Sequence, residues 1–94
     1  MSILKPSPVS TERFTFVKAE NLLVAEMSDL PGFGQVYDDA CDEGMTLVSH
    51  RTGREVVYGV EHVERDREGD LMFWDLRPAK RADAGLPTVR IFND

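Results

Sequence analysis

Residues 45–66 read MTLVSHRTGREVVYGVEHVERD, and this stretch decides the fold. A strand from Met45 to His50 breaks at Arg51-Thr52-Gly53 and is followed by a long valine-rich strand from Arg54 to Asp66. Gly53 is able to take the left-handed backbone that a three-residue hairpin loop requires. Such a loop sets His50 opposite Arg54, Val48 opposite Val56 and Leu47 opposite Val57. Val56, Tyr58 and Val60 share one parity of the second strand, while Val63 has the other. A β-bulge near Glu61-His62 restores the alternation and bends the strand, as a sheet curling into a barrel requires.

The chain on either side continues the pattern. Arg67-Glu68-Gly69 is a second tight turn, followed by a strand from Asp70 to Arg77 that Pro78 ends. Residues 79–87 form a polar connection with one helical turn before Gly85, and Thr88 to Phe92 is a final strand. Upstream, Phe14 and Phe16 alternate with Thr15 and Val17, and a turn at Glu20-Asn21 leads to a second strand, Leu22 to Met27. A helix through residues 13–28 is the rival, because Ala19, Leu22, Ala25 and Glu26 favour helix. Ser28 to Gly34 reads as a loop, and residues 35–44 hold at most a short helix capped by Gly44. Residues 1–12, with Pro6 and Pro8, read as a flexible N-terminal arm, and residues 13–94 as a single small domain. The expected fold is mainly β: a small antiparallel β-meander, barrel-like or a curled sheet, with at most one short helix.

Length and charge narrow the function classes. A 94-residue chain that is 41% hydrophobic builds one core and leaves little room for a deep enclosed active site. A shallow groove or a flat binding face is the expected kind of site. The net charge is −6 and is uneven. Residues 19–50 carry Glu20, Glu26, Asp29, Asp38, Asp39, Asp42 and Glu43 with no lysine or arginine. That acidic middle disfavours nucleic acid and favours a basic protein partner. One cysteine, Cys41, excludes an intrachain disulfide. No apolar run suggests a signal peptide or a membrane span, so a cytoplasmic, non-membrane protein is expected.

The residues that could carry chemistry do not assemble into a recognised motif. Cys41 lies among Asp38, Asp39, Asp42 and Glu43, and like charge disfavours the thiolate a nucleophile needs. His50 and His62 are the only histidines. The hairpin register separates them by about 26 Å of strand, too far for a shared metal. The acidic run lacks the alternating positions and glycine of a calcium loop, and Pro31-Gly32-Phe33-Gly34 lacks the third glycine of a dinucleotide fingerprint. No catalytic residue, no metal site and no cofactor is therefore expected.

The remaining candidates are aromatics and arginines. Tyr58, Phe73 and Trp74 fall on adjacent strands, with Arg65, Arg67 and Arg77 nearby. Such a set grips a protein partner or stacks nucleic-acid bases. Phe73 and Trp74 are consecutive, so a regular strand points them to opposite faces. Acids at positions 61, 64, 66, 68, 70 and 75 interleave the arginines and cancel much of a basic field. The expectation is a non-enzymatic protein-interaction or self-associating module, either with a protein partner or as a homodimer. It would use an exposed strand edge and one of Tyr58, Phe73 or Trp74. A nucleic-acid-binding barrel is the alternative, and a small metal-dependent enzyme a weaker one.

Overall fold

The hairpin forms, with its register moved by one residue. The computed structural model describes residues 8–30 and 44–93. In it β4 (Met45–Val48) and β5 (Glu55–Arg65) run antiparallel. Leu47 faces Val56 and Val48 faces Glu55, which corrects the expected pairs Val48–Val56 and Leu47–Val57. The cause is Ser49. Its amide donates to the Arg54 carbonyl at 2.9 Å and its carbonyl accepts from the Gly53 amide at 2.8 Å. Its hydroxyl accepts from the amides of Arg51 and Thr52, both at 3.3 Å. The loop therefore spans residues 50–53, with Gly53 in the expected left-handed region at φ +74°. Burial favours the same register. Met45, Leu47, Val56 and Tyr58 all become buried on one face, while Val57 turns outward and is 42% exposed. A slip of one residue would exchange these faces.

The bulge falls where the valine pattern places it. Val60 faces Leu76 and His62 faces Asp75, so Glu61 is the extra residue. A second irregularity skips Met72, between the pairs Glu64–Phe73 and Arg65–Leu71. β6 (Leu71–Pro78) and β7 (Thr88–Phe92) extend the antiparallel meander. A 3-10 turn at Arg81–Asp83 occupies the connection between them. The two-strand reading of residues 13–28 holds. β2 (Thr15–Val17) and β3 (Leu22–Glu26) pair antiparallel around a 3-10 turn that ends on left-handed Asn21 at φ 50°.

The simple meander is corrected at its flanks. β3 lies parallel to β7, and β1 (Val9–Ser10) lies parallel to β4. The sheet order is β1-β4-β5-β6-β7-β3-β2. Both edges thus belong to one stretch of chain, residues 9–17, interrupted by a 3-10 turn at Thr11–Arg13. Its first end holds β4 and its second end holds β3. This curls a mostly antiparallel mixed sheet into a half-barrel, and no helix among the described residues reaches seven residues. The expected N-terminal arm is described only from residue 8, where Val9 packs against the core. The expected helical turn at 35–44, and Cys41 with the acids around it, lie outside the described residues apart from Gly44.

The concave face is the core. Trp74, Leu76, Val89 and Ile91 are wholly buried. Leu76 faces Val89, and Trp74 faces Ile91 and Val63 across the two neighbouring strands. Ala25, Leu47, Val56, Tyr58 and Leu71 complete it, with Leu30 and Met45 against them. The convex face carries Phe73, Asp75 and Arg90. Arg90 holds Asp75 through two hydrogen bonds, at 2.8 and 3.0 Å. These bonds are the main reason its guanidinium pKa lies above the ordinary arginine value.

Candidate binding cleft

The aromatics and arginines singled out in the sequence are not brought together. Trp74 is wholly buried and Tyr58 nearly so, so neither offers a ring to a partner on the outer surface. Phe73 lies on the opposite, convex face. There the Arg90 guanidinium sits 4.2 Å from its ring centroid, and Phe92 packs at 5.6 Å with the rings tilted. Arg65 donates to the Gly69 carbonyl at 3.0 Å and braces the turn after β5. Arg77 donates to Glu61 at 2.9 Å, and Arg67 is exposed on the turn. A stacking platform with converging arginines is absent among the described residues, because two of its three rings are core.

The polar clusters have local partners within strands and turns. His50 meets the Thr11 hydroxyl at 2.9 Å and His62 meets Glu64 at 2.8 Å, so the two histidines have separate partners. Asp66, Glu68 and Asp70 gather oxygens within 4.8 Å of one another. Asp66 already accepts the amides of Glu68 and Asp70, both at 2.9 Å, which accounts for the grouping as turn chemistry.

A different set of residues converges. The curled sheet leaves a half-open cleft of about 670 Å³ on its concave side. Phe16 and Leu23 line it from the β2–β3 ribbon, and Phe14 from just before β2. Leu86 and Pro87 line it from the connection before β7, and Leu47, Val56 and Tyr58 from the central strands. Thr11, Ser49, His50, Arg51, Thr52 and Arg54 add polar groups from the first 3-10 turn and the hairpin loop. Phe16 faces Leu23 across the ribbon, on the core side of the sheet, yet it is 49% exposed. The alternation of Phe14 and Phe16 gives one signal of a shared face. Nothing local marks Leu86 or the hairpin loop as their neighbours.

Polar bonds tie together the elements around the cleft. Arg54 pairs with buried Asp83, joining the hairpin to the turn at Arg81–Asp83. The Tyr58 hydroxyl donates to the Pro87 carbonyl at 3.2 Å. The His50 amide donates to the Thr11 hydroxyl at 3.3 Å, joining the hairpin to the first turn. Side chains locked in this way hold a cleft open at little entropic cost on binding.

The Tyr58 hydroxyl has a measurable consequence. Burial, and after it the Asp83 carboxylate, push its pKa above the ordinary value of 10.0. The unfolded chain therefore ionises first as pH rises. The stability linked to Tyr58 is whole below pH 10.0 and is lost as pH climbs toward the folded-state value. Urea unfolding at neutral pH and again above pH 10.0 is expected to show this loss. Tyr58→Phe is expected to reduce it, and to cost about 1 kcal/mol at neutral pH through the lost hydrogen bond.

The chain matches no protein-family model, no curated protein and no solved structure. Among the described residues, no helix is long and apolar enough to cross a membrane.

Proposed function

We propose that this domain is a protein-interaction module whose cleft receives an apolar segment of a partner polypeptide. The half-exposed Phe16 on the core side of the sheet carries the reading. A large aromatic in that position normally completes a core, and here it borders an open apolar cavity. Its volume lies within the roughly 300–1,000 Å³ of pockets that enclose small ligands, and it is ample for one or two apolar side chains. Burying one Leu or Phe side chain in such a place supplies about 1.5–3 kcal/mol.

The strand edges offer less than the sequence suggests. β1 has two residues and β2 three, so an added strand gains few ladder bonds. The binding surface is therefore the cleft, with Tyr58 on its lining and Phe16 as the contact residue. In this reading the domain binds and does not catalyse, and its hydroxyls and cations serve recognition.

Selection of a random peptide library on the immobilised domain tests the proposal. Peptides with apolar anchors are expected to be enriched. Phe16→Asp is expected to weaken the binding of a selected peptide at least about tenfold, or 1.4 kcal/mol. The unfolding midpoint is expected to change little, because Phe16 is half exposed on an edge strand. Failure to enrich any peptide, or unchanged binding by the Phe16→Asp domain, would overturn the reading.

A further inference from the structure

Among the described residues, the charge around the cleft runs against the charge of the chain. The protein carries 17 acidic and 11 basic side chains. Yet the described cleft lining holds Arg51 and Arg54 and no carboxylate. Arg54 is offset by Asp83, which is buried and absent from the lining. Arg51 is exposed and makes no ion pair among the described residues. The side chains of Thr11 and Thr52 belong to the same lining. An apolar cavity with hydroxyls and Arg51, unpaired among the described residues, at its rim complements a group that is apolar at its centre and anionic at its edge.

We infer that the partner segment is acidic: an apolar anchor residue flanked by aspartate or glutamate, with Arg51 as its main charged contact. The inference rests on the cleft being the binding site. It assigns the partner a charge opposite to that suggested by the overall composition. The composition governs the distant field, which salt screens over about 8–10 Å. The rim governs contact, where the charges meet at short range.

The peptide selection tests this when run in parallel on the native domain and on Arg51→Glu. Peptides from the native domain are expected to carry an excess of Asp and Glu next to the apolar anchor. Arg51→Glu is expected to weaken the best of them about tenfold. Changing that peptide's acids to Gln or Asn is expected to weaken binding to the native domain and to leave binding to Arg51→Glu unchanged or to strengthen it, because the like-charge repulsion is relieved. Arg51 is exposed on a loop, so the variant is expected to fold, and its unfolding midpoint serves as the control. Enriched peptides without an acidic excess, or equal losses from the peptide change in both domains, would overturn the inference. Either result leaves the cleft in place if Phe16→Asp still weakens binding at least about tenfold. Binding that survives Phe16→Asp removes the cleft itself.

Discussion

Trp74→Ala is expected to cost about 4 kcal/mol of folding stability, read as a lower urea midpoint by far-ultraviolet circular dichroism. Trp74 has no solvent exposure and is the largest of the wholly buried side chains. It faces Val63 on one neighbouring strand and Ile91 on the other. Removing it deletes the largest wholly buried side chain among the described residues and leaves a cavity that three hydrogen-bonded strands are poorly able to close. A domain of this size has about 5–14 kcal/mol of stability in total, so the variant is expected to be marginal or unfolded at room temperature. Trp74→Phe keeps an aromatic in place and is expected to lose much less. In the native domain the same burial predicts blue-shifted emission from Trp74, resistant to acrylamide quenching. Red-shifted, readily quenched emission would contradict its placement.

Gly44→Ala is expected to cost about 3 kcal/mol, combining left-handed strain with a steric clash. Gly44 has φ +85°, and a Cβ there would stand 2.1 Å from the Tyr58 carbonyl oxygen and 3.0 Å from the Gly59 Cα. Both neighbours are backbone, so no rotamer change relieves the contact. Met45 faces Tyr58 across the ladder, so any shift of the chain at Gly44 displaces the strand pair that floors the cleft. Gly69→Ala is the control. Gly69 has φ +88° with open space around it, so that change carries the conformational cost alone, about 1–2 kcal/mol. Equal losses at the two positions would contradict the close approach at Gly44.

These two positions also mark what the sequence makes legible. Turn residues have local causes, and the turns around Gly53 and Gly69 fall where the sequence puts them. So does the bulge at Glu61, because the parity of Val60 against Val63 demands it. The hairpin register is displaced by one residue. The Ser49 hydroxyl supplies two loop hydrogen bonds that hydrophobic pairing alone does not anticipate. The parallel pairs β1–β4 and β3–β7 join residues 38 and 66 positions apart (Val9–Leu47 and Leu22–Thr88), and no local pattern signals them. The curl that makes the cleft depends on those pairs.

The candidate site was less legible for the same reason. Tyr58, Phe73 and Trp74 fall on adjacent strands, but strand alternation and the shift at Met72 send Trp74 inward and Phe73 outward. A prominent aromatic on a central strand is first a core residue. Phe16 reads as an ordinary strand residue until β3 is placed beside β7. Only then does its inward side border an unfilled space. Arg51 and Arg54 read as turn polarity, and gain meaning from the turn at Thr11–Arg13 and the connection at Leu86–Pro87, which close around the same cavity.

The central claim is that binding occurs on the concave side. Titration of the isotope-labelled domain with a selected peptide, followed by amide chemical shifts, tests it most directly. The account predicts the largest perturbations at Phe14, Phe16, Leu23, Thr52 and Leu86, which line the cleft, with little change at Phe73, Arg90 and Phe92. Perturbations centred on Phe73, Arg90 and Phe92, with the cleft unmoved, would place recognition on the convex face and contradict it.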